Sequence, residues 1–220
     1  MAATMIQPVK HTPPAAPGEP QSLVSFTRLE IPQVEVFETA VTFEATCDPI
    51  TAHDQLVQVF GQKAGSGSFL FRADSSVPGR YWVRSAQPWS GRPAKAVAAL
   101  APKRMIIQLA DGLMYHFMLP VCAGHEFYEG DQRVLHPYTT EAEVEQWFTS
   151  HAAGWGIKPL MFSASLRSLR FRNQGVAYRI DHAMLEGALE VLEPDRMRSQ
   201  LLRGFGWHRR AGLGMLYMYN

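Results

Sequence analysis

The stretch RGFGWHRRAGLGMLYM, residues 203–218, lies close to the C-terminal end and decides how the rest of the chain is interpreted. Its four glycines, Gly204, Gly206, Gly212 and Gly214, flank a His-Arg-Arg core, and apolar residues follow directly. Glycine lets a backbone take positive φ and approach a ligand closely, and arginine favours anionic ligands. The stretch therefore predicts an anion-binding loop, with backbone N–H groups as an anion nest, that leads into a final strand.

Positive charge is concentrated in the same part of the chain. Residues 151–220 hold ten Lys and Arg against five Asp and Glu, whereas residues 1–150 hold eleven against fifteen. Nine of those ten cations are arginines, which suit bidentate phosphate contacts and stacking on bases. The C-terminal part is therefore predicted to face the anion. A GC-rich genome would also favour arginine, so composition alone leaves both explanations open.

Several classes of protein are disfavoured by what the sequence lacks. Cys47 and Cys122 show neither metal-ligand spacing nor a disulfide framework, and no apolar run is long enough to span a membrane. The N-terminal end has no secretory signal, so we expect a cytoplasmic protein with reduced thiols and no membrane partner. The histidines lack zinc-site spacing, and GQKAGSGS at 61–68 lacks the ending of a P-loop. No metal and no cofactor are expected.

The order of predicted elements repeats once along the chain. Residues 1–20 hold five of the fifteen prolines and are predicted to form a disordered tail. A first unit follows as strand, helix, two strands, helix and strand, at 22–31, 48–62, 69–74, 80–86, 93–101 and 104–110. A second unit has a polar loop up to Thr140 after its first strand, with elements at 113–121, 140–153, 160–173, 176–192, 194–203 and 213–219.

Two successive βαββαβ units predict an α+β fold of two tandem ferredoxin-like (RRM-like) domains with a C-terminal glycine-rich loop. The predicted N-terminal domain spans residues 21–111 and the C-terminal domain residues 112–220. This fold is a common RNA-binding scaffold, because an open sheet face presents bases to aromatic and basic side chains. It also supports small enzymes and metal-binding proteins, so the fold alone leaves the function open.

The pattern Gly204-x-Gly206-x-x-Arg209-x-x-Gly212-x-Gly214-Met-Leu resembles the glycine-rich loop of the RAMP superfamily of CRISPR proteins. Within that superfamily it is similar to the CasE-type endoribonucleases, which cut CRISPR precursor RNA at repeat hairpins. HDQLVQVF at 53–60 resembles the family segment that begins with the catalytic histidine. The chain departs from the family at two positions. Residue 50 is isoleucine where the family commonly has tyrosine, and residue 209 is arginine where the family has lysine. A related processing nuclease of plasmid-borne CRISPR systems fits about equally well.

The resemblance implies a metal-independent endoribonuclease in which the RNA 2′-hydroxyl attacks the neighbouring phosphate and leaves a 2′,3′-cyclic phosphate. It makes His53 the candidate for proton transfer and Arg209 the candidate for phosphate contact. Asp54 follows His53 directly, and we do not expect the two side chains to face each other, because adjacent helical residues point in different directions. On spacing alone, His53 would be an ordinary polar residue of an amphipathic helix.

Further basic and glycine residues are predicted to bind RNA. Alternation along the strand at 160–173 places Arg170 and Arg172 on one face and Arg167 with Phe171 on the other, and Arg179 lies across the hairpin. The predicted RNA-binding set also includes the loop residues His208, Arg210, Gly204, Gly206, Gly212 and Gly214. The expected partners are CRISPR precursor and guide RNA and other subunits of an interference complex.

Two other functions stay open at this point. The protein could be a non-catalytic subunit that holds the guide RNA in the same complex, since a tyrosine is missing at Ile50. It could also be a ferredoxin-like enzyme of small molecules, which would show no salt-dependent affinity for RNA.

Overall fold

A computed structural model describes residues 31–61 and 64–219. The predicted tail at 1–20 lies outside the described residues. The predicted strand at 22–31 does too, except for Ile31, which is not in a strand. The first described strand is β1 (Gln33–Thr42), which the sequence analysis did not predict.

The first sheet carries the elements of one ferredoxin-like unit. The elements that follow β1 are α1 (Pro49–Phe60), β2 (Phe69–Ala73), β3 (Arg80–Ser85), β4 (Ala98–Ala99) and β5 (Lys103–Gln108). The four longer strands have the order β2-β3-β1-β5, the short strand β4 also pairs with β1, and all neighbours are antiparallel. Helix α1 begins as predicted, because the Asp48 side chain accepts hydrogen bonds from the Ile50 and Thr51 N–H groups and Pro49 occupies the first turn. In this strand order the first and third strands of the unit, β1 and β3, are central, as the fold requires.

The second unit contains β6 (Met114–Val121), β7 (Gly124–Glu129), β8 (Gln132–Pro137), α2 (Glu141–Ala152), β9 (Ile157–Asn173), β10 (Val176–Val191), α3 (Pro194–Arg203) and β11 (Tyr217–Tyr219). Its sheet has the corresponding order, β11-β6-β10-β9, and is also antiparallel throughout. The predicted fold class, two tandem ferredoxin-like domains, is confirmed. Each α-helix in the described part of the chain has 12 residues or fewer, too short for a membrane crossing.

The helix predicted at 93–101 is wrong. This segment forms turns and the short strand β4, whose residues pair with Val41 and Thr42 of β1. The Val97 N–H donates to the Thr42 carbonyl at 2.7 Å, and the Leu100 N–H donates to the Ala40 carbonyl at 2.9 Å. A helix of about nine residues is marginal alone, so the open edge of β1 takes these backbone groups instead.

The polar loop predicted up to Thr140 is also wrong in its first part, because β7 and β8 pair there as a two-stranded hairpin. Gly130 and Asp131 form its turn, and this glycine-containing pair between short runs was a usable hairpin signal. At the other end, the strand predicted at 213–219 shrinks to Tyr217–Tyr219. Gly214 has φ +85°, which an extended strand does not adopt, so the regular ladder ends there although its N–H still donates to the Pro120 carbonyl of β6.

Both sheets contribute to one large hydrophobic core. Val34 and Val36 of β1 pack in the same cluster as Phe117 of β6 and Leu185 of β10. A second cluster lies between α1 and the first sheet and includes Leu56, Phe69 and Phe71. Because the larger core crosses from one sheet to the other, residues 31–220 form a single compact unit. The domain boundary at residues 111 and 112 stays a prediction.

A buried arginine, Arg84, connects the first sheet to the segment before β11. Arg84 of β3 is 2% exposed, and its guanidinium lies 2.7 Å from the Glu38 carboxylate of β1. The same guanidinium donates through Nη1 to the Leu216 carbonyl at 2.7 Å. A buried charge is tolerated only with such partners, so Arg84 ties the end of the glycine-rich segment to the first sheet.

We predict that Arg84→Met lowers the free energy of unfolding by about 3–5 kcal/mol, because it leaves Glu38 and the Leu216 carbonyl without their donor. The matched control is Arg104→Met, which removes the exposed Arg104–Glu35 pair across β1 and β5. An exposed pair contributes much less than a buried one, because water screens its charges. Urea unfolding followed by circular dichroism measures both, and equal losses would contradict the assigned role of Arg84.

Candidate functional site

His53 lies on the face of α1 that packs against β2. It is 1% exposed, and its ring sits between Phe69 and Phe71, with centroid distances of 6.2 and 6.1 Å. The Ala64 N–H donates to Nε2 at 3.3 Å, so the ring presents a lone pair at Nε2 and its N–H at Nδ1. The ring is therefore inside the protein, with its Nε2 directed towards the segment after α1.

Asp54 contacts His53 against expectation. His53 Nδ1 lies 3.0 Å from Asp54 Oδ1, although adjacent residues on a helix point in different directions. Both side chains are long enough to meet at the side of the helix, and the Asp54 side chain is still 56% exposed there. The contact orients the ring and places a negative charge at its Nδ1 side, an arrangement that supports proton transfer at Nε2.

The glycine-rich loop runs between the two sheets at very close range. Gly204, Gly206, Gly212 and Gly214 all have positive φ. A Cβ at Gly204 would lie 2.9 Å from Leu70 of the first sheet, and a Cβ at Gly206 would lie 2.5 Å from Val121 of the second. At Gly214 it would lie 2.2 Å from the Phe205 carbonyl oxygen. Only glycine fits these positions, both for conformation and for space.

Several backbone N–H groups of the loop donate to carbonyl groups of the protein. The Phe205, Trp207 and Gly214 N–H groups donate to carbonyls at Gly214, Cys122 and Pro120. The Ala211 and Gly212 N–H groups close a short 3₁₀ turn at Arg209–Ala211. These five amides are thus unavailable for the predicted anion nest, and the positive charge of the loop comes from its side chains.

Arg209 and Arg210 reach towards α1 from this turn. The Arg209 side chain packs on Gly65, where a Cβ would lie 2.5 Å from its Nε, and it donates to the Gly206 carbonyl. Burial lowers the pKa of Arg209 from its ordinary value. Arg210 is exposed and lies 3.5 Å from Asp54 Oδ1. Asp54 thus connects His53 of α1 with Arg210 of the loop.

The structure therefore brings His53 and Arg209 to the same short segment. The Ala64 amide covers His53 Nε2, and the Arg209 side chain packs against the next residue, Gly65. A substrate can reach Nε2 only if it takes the place of the Ala64 amide. His208 precedes the turn with φ +57°, in the left-handed region that non-glycine residues rarely adopt, and partial burial lowers the pKa of its imidazole.

The predicted basic strand is part of a ribbon that extends beyond the second sheet. Strand β6 pairs with β10 only from Ala183 onwards, so the rest of β9 and β10 is two-stranded. Arg170 lies opposite Arg179, and Arg172 follows on the same face. On the other face, Arg167 lies opposite His182, and Phe171 stacks on Tyr178 at 5.3 Å.

The arginines on the Arg170 face of the ribbon are only partly compensated by negative charge. Arg179 donates to Asp181 at 2.9 Å, and hydrogen bonds from Ser168 and Arg179 lower the pKa of Asp181. Arg170 and Arg172 are exposed and form no ion pair within the described part of the chain, and the charge of Arg170 also lowers the pKa of Asp181. This face of the ribbon therefore carries three arginines, Arg170, Arg172 and Arg179, against the one carboxylate of Asp181.

The tip of the ribbon returns to the start of helix α1. The Asn173 side-chain amide donates to both Asp48 carboxylate oxygens at 3.3 Å and to the Thr51 hydroxyl at 3.2 Å. Helix α1 thus contacts the ribbon at its N-terminal end and Arg210 of the loop at Asp54. The three groups of residues that the sequence analysis singled out converge around this one helix.

Trp207 and the β7–β8 hairpin belong to this region, and neither was predicted as part of it. Trp207 forms a β-bridge with Cys122, and its indole N–H donates to the Glu126 carboxylate of β7. Arg133 of β8 lies over the Trp207 ring at 5.0 Å and pairs with the same carboxylate. The hairpin is therefore attached to the glycine-rich loop through Trp207.

The two thiols lie apart from this site chemistry. Burial raises the pKa of Cys47 to about 11 and that of Cys122 to about 12, and both cysteines are free. Within residues 31–61 and 64–219, no group of three or more His, Cys, Asp or Glu side chains is arranged to hold a metal ion.

Comparison with known proteins identifies relatives of the chain. A sequence profile of the family described as "CRISPR associated protein" matches residues 28–219. The fold is similar to a CRISPR endoribonuclease Cse3 bound to a 19-nucleotide RNA, with a TM-score of 0.70, 20% identity, and 84% of this chain and 100% of that chain covered. It is similar to Cas6e from Escherichia coli K-12, with a TM-score of 0.63, 18% identity and coverage of 84% and 98%.

A third similar structure is a chain of a CRISPR RNA-guided surveillance complex, with a TM-score of 0.60, 16% identity, and 83% of this chain and 98% of that chain covered. No curated protein matches the chain by sequence. Since the family profile covers most of its length, the protein belongs to the CRISPR-associated protein family. The predicted resemblance to the CasE-type proteins is confirmed at the level of the fold.

The close packing of the loop leads to a stability prediction. Gly214→Ala places a methyl group against the Phe205 carbonyl at φ +85°, so we expect it to lower the free energy of unfolding by at least ~3 kcal/mol. The matched control is Gly112→Ala, where φ is +79° and the added Cβ meets nothing within 4 Å. That control suffers only the conformational strain, about 1–2 kcal/mol. Urea unfolding of both variants separates the two effects, and similar losses would contradict the steric account.

Proposed function

We propose that this protein is a metal-independent endoribonuclease that cuts CRISPR precursor RNA at its repeat hairpins. The observation that supports this most directly is the meeting of His53 and Arg209 on the two sides of residues 64 and 65. One side chain can accept a proton through its Nε2 lone pair, and the other carries a permanent positive charge. Cleavage by the RNA's own 2′-hydroxyl needs these two groups beside one phosphate.

In the proposed reaction, the 2′-hydroxyl attacks the adjacent phosphorus and the 5′-oxygen leaves, which produces a 2′,3′-cyclic phosphate and a 5′-hydroxyl. Once RNA has displaced the Ala64 amide, the His53 Nε2 lone pair accepts the proton of the 2′-hydroxyl, while Asp54 holds the Nδ1 side. The leaving 5′-oxygen takes its proton from water. Proton transfer by one positioned group contributes about 10²–10⁴ in rate. Arg209 and Arg210 stabilise the negative charge that develops on the phosphorane.

The ribbon supplies the proposed contact with the hairpin stem. An A-form stem exposes phosphates and 2′-hydroxyls across a shallow minor groove, and Arg170, Arg172 and Arg179 form one basic face of suitable chemistry. Gly204, Gly206, Gly212 and Gly214 shape the loop so that Arg209, Arg210 and His208 face the same region.

The similar proteins suggest the partners. Because one is bound to RNA and another is part of an RNA-guided surveillance complex, we propose that this chain keeps its cut guide RNA and joins such a complex in the cytoplasm.

A second candidate function is a guide-holding subunit that does not cut. The ring of His53 is buried, and Ile50 occupies the position where the family commonly has a tyrosine. Such a subunit would bind repeat RNA tightly and leave it intact. Cleavage experiments separate the two functions.

We predict that the purified protein cuts a repeat hairpin in excess EDTA, and that a 2′-deoxy sugar at the cut site abolishes cutting. The first result follows because no step uses a metal, and the second because the nucleophile is then missing. Denaturing gel electrophoresis and mass spectrometry of the products measure both. Binding without cleavage would favour the guide-holding function, and cleavage of the 2′-deoxy RNA would contradict the mechanism.

His53→Ala is expected to reduce single-turnover cleavage by about 10²–10⁴ with little change in RNA affinity, because it removes the proton-transfer group. The matched control is His116→Ala, since His116 is exposed on β6 and stacks on Tyr219 away from the loop. Thermal unfolding checks that both variants are folded. Equal cleavage by the His53 variant and the control would remove His53 from the mechanism.

Arg172→Ala is expected to weaken hairpin binding and to reduce the slope of log affinity against log salt by about one, because one phosphate contact is lost. Arg92→Ala is the control, since Arg92 is exposed and bonds the Val97 carbonyl near β4. Filter binding or anisotropy at several salt concentrations measures the slopes. An unchanged slope for Arg172→Ala would show that Arg172 does not contact a phosphate of the stem.

A further inference from the structure

A cavity of about 710 Å³ opens between the glycine-rich loop, α2 and the β7–β8 hairpin. We propose that it binds one unpaired nucleobase of the RNA, next to the linkage that is cut. This inference rests on the proposed function, because it assigns a subsite to the same substrate. It also gives a role to the β7–β8 hairpin, which the proposed cleavage mechanism does not use.

Aromatic rings are concentrated in this cavity. Of the five tryptophans in the chain, Trp147, Trp155 and Trp207 line it, together with His151. The His151 ring stacks on Trp155 at 5.6 Å, so part of the wall is already a flat stacked surface. Proteins hold unpaired bases on such aromatic platforms, because every base has a π-face. The apolar rings favour a base over a sugar or a phosphate alone.

Charged groups lie at the edges of the aromatic wall. Arg209 and Arg210 border the cavity on the side of α1, where the backbone phosphate of a bound nucleotide would lie. Glu126 borders it on the hairpin side, and its two oxygens receive the Trp207 and Arg133 donors. A carboxylate has about four acceptor positions, so Glu126 keeps capacity for the amino group of a base.

The size and position of the cavity point to a single flanking nucleotide. A volume of about 710 Å³ lies in the range of pockets that hold one small ligand, about 300–1,000 Å³. A base inside the stem is paired and stacked on both faces, so only an unpaired base can enter. The cavity shares Ala64 and Arg209 with the proposed cleavage site, which places this base beside the cut rather than in the hairpin loop. Gly204 and Gly206 contribute backbone without side chains to its lining.

The test uses a hairpin made uncleavable by a 2′-deoxy sugar at the cut site, with the flanking nucleotides either intact or replaced one at a time by abasic residues. The variants are Trp207→Ala, Trp207→Phe and the control Trp82→Ala, whose indole bonds Asp74 on the first sheet, outside the cavity. Thermal unfolding establishes that each variant is folded. Affinity for each RNA and quenching of tryptophan fluorescence are measured.

We expect one abasic position beside the cut to weaken wild-type binding about tenfold, and Trp207→Ala to weaken binding of the intact RNA by a similar factor. When Trp207→Ala binds the abasic RNA, the two losses of affinity should not add, because both changes remove the same contact. Trp207→Phe should keep most of the affinity for the intact RNA. The intact RNA should also quench more tryptophan fluorescence than the abasic one.

Additive losses, or equal effects of Trp207→Ala and Trp82→Ala, would overturn the nucleobase site while leaving the endoribonuclease proposal intact. Absence of binding to any hairpin would overturn the proposed function, and the nucleobase site on RNA with it. A mononucleotide that quenches wild-type fluorescence but not that of Trp207→Ala would then indicate a nucleotide pocket with a different purpose.

Discussion

The close approach of backbone at the glycine-rich loop is the constraint on which the rest of the structure depends. The loop passes between Leu70 of the first sheet and Val121 of the second, with contacts that leave no room for a Cβ at Gly204 or Gly206. Because the peptide backbone itself fills this space, the two ferredoxin-like units share a core instead of being joined by a linker. A side chain at these positions would separate the sheets and displace the arginines that follow.

The same constraint sets the geometry of the candidate site. The turn that begins after His208 directs Arg209 onto Gly65 and Arg210 towards Asp54, so the loop reaches the helix that carries His53. Stability and chemistry are therefore coupled. The residues that close the fold also position the positive charge, and the strained φ of His208 is held by the surrounding loop. The Ala64 amide covers the imidazole, so the proposed reaction requires RNA to displace this amide.

Local signals in the sequence were enough for most of the fold. Asp48 with Pro49, and Thr140 with Glu143, mark helix starts that the structure reproduces, because capping depends on neighbouring residues alone. The helix expected at 93–101 failed because the open edge of β1, a distant element, takes its backbone groups. The Asp54 contact with His53, the burial of the ring and the grouping of three tryptophans all depend on tertiary packing. No spacing rule could predict them, although the Gly130-Asp131 turn could have revealed the hairpin.

The most direct measurement of the central claim is a structure of the complex with an uncleavable repeat hairpin. We expect the phosphate at the cut site to lie within hydrogen-bond reach of the Arg209 guanidinium. The 2′-oxygen should lie about 2.6–3.2 Å from His53 Nε2, with the Ala64 amide displaced. A hairpin bound on another surface, or a His53 ring still bonded to Ala64 while the cut-site phosphate lies far from the loop, would contradict the account.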